Sequence, residues 1–260
     1  LLVVQFLSLQ HEALHGHPTR SSLINEALVS LPLALIYPYR RFKSVLVLRH
    51  DDENRTYPFD NPESWYFEAE DFARQHPVVK ALWRVNATLL GRLLLGPLLS
   101  GIGLVRRDWE AVLRGDRAIL LAWALHIFGL AVLFSLLTLA GFSAWLYLLA
   151  VAYPASSILM IRSFAEHRAS EHKEQRTAII PDRGPLALLF LNNNLHAVHH
   201  AHPTVAWYQL PRLFRERRDE FLRTNGGYGY RNYLEVFAQH WRKPLDSIPH
   251  PLWHRHHRTR

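Results

Sequence analysis

The sequence contains no cysteine, which excludes disulfides, thiolate nucleophiles and cysteine-held iron–sulfur clusters. Any metal must therefore be held by the 17 histidines and the carboxylates. A P-loop and a Gly-rich dinucleotide fingerprint are also missing. Reducing equivalents for any redox chemistry would then come from a separate protein. No shift in composition divides the 260 residues, so a single domain over 1–260 is expected. The net charge of +8 and pI near 10.0 would suit a nucleic-acid partner. The basic residues, however, crowd the segments flanking apolar runs, as membrane proteins distribute them, and no nucleic acid is expected. The mean hydropathy of -0.08 averages very apolar stretches with very polar ones.

Two of those stretches, Ala118–Leu139 and Phe142–Ile161, are long and apolar enough to span a bilayer, and the short link Ala140-Gly141 makes them a hairpin. The tip of this hairpin carries no Lys or Arg, whereas thirteen lie from Arg40 to Arg117 and the chain from Arg162 onward is strongly basic. The positive-inside rule places Arg40–Arg117 and the C-terminal region in the cytoplasm. Leu1–Leu9 is apolar but reaches only ~15 Å as a helix. Lacking a basic n-region or a small-residue cleavage site, it reads as the end of a membrane helix whose start is missing rather than as a signal peptide. Leu23–Tyr39 is short and holds Asn25, Glu26 and Pro32. A single crossing there would put the chain before and after it on opposite sides, so an interfacial or re-entrant helix is predicted. Pro62–Leu99 reads as further helix on the membrane surface, with Trp65, Tyr66, Trp83 and Trp109 as interface anchors. Gly184–Leu195 reads as an apolar helix, Asn225-Gly226-Gly227-Tyr228 as a turn, and the tail from His250 as a basic segment near anionic lipid.

Histidine clusters stand either side of the hairpin: His11-Glu12-Ala13-Leu14-His15 and His196-Ala197-Val198-His199-His200. Imidazoles four apart on a helix share one face and can point at one metal. Both clusters run on to His-x-His-Pro-Thr, and the residue before proline disfavours helix, so each helix should stop at its cluster. The first cluster matches the zinc-protease pattern with Glu12 as base, a reading that leaves the second cluster unused. A fuller ligand set is His11, His15, His50, His167, His196, His199 and His200. Seven imidazoles exceed one tetrahedral zinc and suit two iron ions with open positions for molecular oxygen. Glu12, Asp51, Asp52, Glu166 and Asn192 adjoin these histidines or lead into them and can orient their rings. His126, alone in an apolar run, reads as a packed interior polar group.

The segments His11-Glu-Ala-Leu-His-Gly-His-Pro18, Asp60-Asn-Pro-Glu-Ser-Trp-Tyr66, Arg162-Ser-Phe-Ala-Glu-His-Arg168 and Asn192-Asn-Asn-Leu-His-Ala-Val-His-His200, taken in this order, resemble the membrane fatty acid desaturase family over nearly the whole chain. The resemblance implies an all-α integral membrane fold: a bundle of four membrane helices, the first missing here, under a cytosolic helical cap carrying the histidine boxes. It implies a di-iron centre on the cytoplasmic face with ligand roles for His11, His15, His167, His196, His199 and His200, and oxygen-dependent conversion of an unactivated C–H pair of a fatty acyl lipid to a double bond. Electrons would come from a separate ferredoxin-like or cytochrome-like donor. The second box departs from the family pattern. Leu46 and Arg49 stand where the family has histidines, and only His50 remains; leucine cannot ligate, and a guanidinium opposes a nearby cation. A related hydroxylase or carotenoid ketolase, a non-catalytic descendant, and the membrane zinc protease are the alternative readings.

Overall fold

The computed structural model describes residues 1–47 and 65–252. The chain packs as two compact units, Leu1–Asp51 with Pro97–Leu159, and Asp52–Gly96 with Met160–Arg260. Among the described residues the regular structure is helical, with only isolated β-bridges.

In the first unit, α1 (Leu2–Leu14) buries Val4, Leu7 and Ala13 beside the polar Gln10, His11 and Glu12. It stops where the sequence predicts, because Gly16 takes φ +85 two residues before Pro18. Leu23–Tyr39 does not form one helix. α2 (Ser22–Val29) has eight residues, about 12 Å of rise and well short of a bilayer core, and irregular chain follows it to Pro38. Asn25 is buried in α2 and exchanges three hydrogen bonds with Thr19, which satisfies its amide. Helix α3 (Tyr39–Val47) follows, and Ala13, Val29 and Tyr39 form a shared core of α1, α2 and α3.

In the second unit, α4 (Ala69–Arg74) and α5 (Pro77–Asn86) are short. Helix α6 (Leu89–Leu113), 25 residues long, begins in that unit and continues into the first from Pro97. It is a third helix long and apolar enough to cross a membrane, besides α7 (Arg117–Leu139) and the stretch Ala144–Glu166. The sequence predicts a surface helix that ends at Leu99. Arg92, Pro97 and four glycines interrupt the apolar run there, and none of them stops the helix. The hairpin matches its prediction. Asp116 caps α7 through its Oδ1, which accepts from Ala118 and Ile119, and Gly141 turns the tip at φ +70. The second arm is α8 (Ala144–Tyr147), a π turn over Leu148–Ala152, and α9 (Tyr153–Glu166). The π turn precedes Pro154, which lacks an N–H and crowds the carbonyl four residues back.

These apolar helices satisfy the irregular segment after α2. His126 of α7 bonds the Leu35 carbonyl at 3.0 Å, and the Tyr147 hydroxyl donates to the Leu33 carbonyl at 2.8 Å. Gly129 lets Pro32 approach to within 2.9 Å of where a Cβ would sit. Non-helical backbone among apolar helices needs such partners, and His126 is the packed polar group that the sequence indicates. A buried carboxylate, Asp108 in α6, takes Arg41 Nε at 2.8 Å and Trp123 Nε1 at 2.9 Å, tying α3 and α7 to it.

The rest of the second unit holds α10 (Pro185–Leu189), α11 (His196–Ala201), α12 (Leu210–Glu216), α13 (Arg218–Thr224) and α14 (Tyr233–His240). Its core joins Leu195 and Val198 to Leu210, Phe214, Phe221 and Ile179, each such side chain contributing about 1.5–3 kcal/mol by burial. The predicted apolar helix Gly184–Leu195 is only five residues long here. Leu191 and Asn192 both take left-handed backbone, φ 51 and 53, and break it. Asparagine tolerates that region; for leucine it is strained. Asn225–Tyr228 is the expected turn, with Gly226 and Gly227 at positive φ and the Asn225 amide bridging it to Tyr228. Of the expected interface anchors, Tyr66 spends its hydroxyl internally: it donates to Asp246 and accepts from Ala169. Trp65 lies under the Arg92 guanidinium at 3.7 Å, and Trp109 is exposed.

Candidate metal centre

An extended strut, Thr177–Ile180, builds the site in the second unit. His167, the residue after α9, pairs with Thr177. The Ala178 amide donates to the Glu166 carbonyl, and the Ala178 carbonyl accepts from Ala197 in α11. One residue thus fixes the end of α9 against the start of α11. Ile180 donates to the Asn194 carbonyl, and Ile179 exchanges hydrogen bonds with Tyr228 and Tyr230. The Tyr228 hydroxyl donates to the Ala165 carbonyl at 2.9 Å, and burial raises its pKa well above the ordinary value, so it stays a donor.

This frame converges three imidazoles. His196 Nε2 lies 3.1 Å from His167 Nε2 and 2.9 Å from His200 Nε2. His196 and His200 share a face of α11 because they are four apart. The three ligand atoms fall within 4.8 Å of one another and could hold a metal ion. The donor chemistry fits one. A neutral imidazole has a single ring lone pair, which cannot serve two Nε2–H donors well, whereas a cation among the three nitrogens uses all of their lone pairs. Separations near 3 Å are also those between neighbouring ligands bonded at about 2.1 Å. Three neutral nitrogen donors with positions left open suit iron or zinc and leave room for a further ligand.

His199 lies on the same short helix, fully buried at 0% exposure. Its ring centroid is 6.1 Å from that of His196 and 5.7 Å from that of His200. In the first unit, His11 and His15 bring their rings to 5.1 Å across one turn of α1, with His11 and Glu12 buried and His15 half-buried. His50, Asp51 and Asp52, like Arg49, fall outside the described residues.

Around His196 the asparagine run divides its roles. Asn192 turns away and donates to the Trp207 carbonyl at 3.1 Å. Its neighbour Asn193 stands at the site, with Oδ1 3.2 Å from His196 Nδ1 and Nδ2 donating to Glu166 Oε1 at 2.9 Å. Glu166 Oε1 is 3.6 Å from His196 Nδ1, and Arg162 Nε lies 2.9 Å from the same oxygen. Sequence reasoning missed Asn193 and Arg162. The Arg162–Glu166 spacing of four on one helix was a readable signal; nothing in a run of three asparagines marks which one faces the histidine. His202 sits apart, 3.0 Å from Arg217 Nη1.

A search of curated proteins finds no match to this sequence. The fatty acid desaturase family model matches residues 1–232. That match takes in the three described helices long and apolar enough to cross a membrane and the clustered histidines between His11 and His200, and the chain belongs to the fatty acid desaturase family.

Proposed function

We propose that this membrane protein converts a saturated C–C unit of a fatty acyl chain to a double bond, using molecular oxygen and iron held by its histidines. The convergence of His167, His196 and His200 on one point, in a chain of this family, carries the reading. Overall, two hydrogens from the chain and two electrons and two protons from outside reduce O2 to two waters. Iron, when bound, supplies the oxidising power that a C–H bond without any acid, base or electrophilic handle requires.

The protein's own residues do the holding. His167, His196 and His200 present neutral nitrogens from two helix ends tied through Ala178, so the site is built before any ligand arrives. Burial of His196 and His199 keeps bulk water away from the reacting chain, and apolar surroundings would hold an acyl chain in place for reaction. Ligand roles for His11, His15, His50 and His199, and with them a second iron, rest on the sequence pattern. So do the cytoplasmic placement of the histidines and a separate ferredoxin-like or cytochrome-like donor attracted by the basic segments. A second reading, a descendant that binds metal or lipid without turnover, is favoured by Leu46 and Arg49 in the second box.

Lipid profiles of cells expressing the chain test both. New unsaturated acyl chains are expected with the wild type and none with His196→Ala; hydroxylated or ketonic lipids instead would move the assignment to a related oxygenase. If only the Leu46→His/Arg49→His double variant makes them, the second reading holds for the native sequence.

A further inference from the structure

We infer that Asn193, clamped by the Glu166–Arg162 pair, is a positioning residue that fixes the protonation pattern and direction of His196. The inference rests on the proposal that His196 ligates metal. Asn193 sits three residues before His196, in the turn that follows the left-handed pair Leu191 and Asn192. Its amide nitrogen faces Glu166 Oε1, 2.9 Å away. A carboxylate only accepts hydrogen bonds, so the opposite amide orientation would set two oxygens against each other. The carbonyl Oδ1 must therefore face His196 Nδ1, at 3.2 Å.

An amide oxygen only accepts as well. His196 Nδ1 must then carry the hydrogen, and in a neutral imidazole this leaves the lone pair on Nε2. Nε2 is the nitrogen that meets His167 and His200. Arg162, one helical turn before Glu166, places its Nε 2.9 Å from the oxygen that Asn193 uses. The arginine offsets the buried carboxylate charge by proximity, while Glu166 Oε1 stays 3.6 Å from Nδ1, farther than the Asn193 oxygen. Arg162, Glu166, Asn193 and His196 are all buried, so water does not substitute for any of these contacts.

The test is Co2+ affinity of the purified full chain in detergent, by chelator competition, read beside the visible spectrum of the bound Co2+ and the melting temperature. His196→Ala should remove the Co2+ equivalent that His167, His196 and His200 hold; if the wild type binds no Co2+, or His196→Ala binds as many equivalents as tightly, the metal reading itself falls and this inference with it. Asn193→Ala should weaken binding roughly 10–100-fold and alter the spectrum, the loss typical of partners that orient ligating histidines. Asn193→Asp alone sets two carboxylates together and should weaken it too. The swap Glu166→Gln/Asn193→Asp keeps the total charge, keeps an acceptor facing Nδ1, and should recover affinity and spectrum. Wild-type affinity in Asn193→Ala would overturn the inference, as would a swap that recovers melting temperature without affinity, since Asn193 would then act only on the fold.

Discussion

Several buried polar side chains in the second unit answer to a particular backbone or charged group, and His250 shows what burial costs when the pH changes. Its Nδ1 accepts from the Leu252 amide, its ring meets Tyr66 edge-on at 4.8 Å, and its own amide bonds Phe67. Burial pushes its pKa down to about 4, with Arg176 adding to the shift and Asp246 opposing it. In the unfolded chain a histidine takes its proton near 6.5. As pH falls below that value the unfolded state gains protons that the folded state refuses. Stability from this residue is thus full above about 6.5 and is lost progressively toward 4. Thermal melts between pH 7.5 and 5 should fall more steeply for the wild type than for His250→Phe; equal slopes would show that His250 does not titrate this way. The tail looked merely basic in the sequence because its partner Tyr66 is distant along the chain. The histidine clusters were legible because helical spacing is local, whereas the choice of Asn193 over Asn192 was set by backbone angles that no side-chain pattern encodes.

Elements in this chain end where backbone geometry changes, and two kinds of ending differ in legibility. Pro and Gly endings were readable, as at Gly16, Gly141 and the Asn225–Tyr228 turn. The break after α10 was not, because the Asn192-Asn193-Asn194 run ends that helix by sending each amide to a separate partner: Trp207, Glu166, and the Ile180 and Asp182 carbonyls. The strut Thr177–Ile180 was likewise invisible, since its stability comes from neighbours remote in sequence rather than from any propensity of its own. It depends on Gly229, where an added Cβ would lie 2.0 Å from the Ile179 carbonyl oxygen. That oxygen accepts from Tyr230, and both are backbone atoms that cannot rotate aside. Gly229→Ala should therefore lower stability by about 1–3 kcal/mol, as overpacking does, and should weaken Co2+ binding because the strut carries Ala178. Gly227→Ala is the control: no neighbour lies within 4 Å of its Cβ, and only its positive φ is strained. A melting temperature for Gly229→Ala no lower than that of the control would contradict this packing argument.

At the scale of the whole molecule, helix length and charge placement disagree about α6, and topology arbitrates between them. By length and hydropathy it could cross a membrane, as could α7 and Ala144–Glu166. It runs into α7 through Arg114, Gly115 and Asp116. If α6 crossed, Arg74, Lys80 and Arg84 before it would lie opposite Arg114 and Arg117 after it, against the bias that sets orientation. Its own charges, Arg92 toward one end and Arg106, Arg107, Asp108 and Glu110 toward the other, leave only a short uncharged middle that contains Pro97. The hairpin of α7 and Ala144–Glu166 carries no such conflict. The absence of cysteine makes the question direct, because a single introduced thiol is the only one in the chain. Ala140→Cys at the hairpin tip, Arg84→Cys before α6 and Thr224→Cys at the end of α13 are all exposed positions. In intact cells a membrane-impermeant maleimide should label Ala140→Cys alone, and permeabilised cells should add both others together. Labelling of Arg84→Cys in intact cells with Thr224→Cys still protected would mean that α6 spans and that the two histidine clusters lie on opposite sides of the membrane.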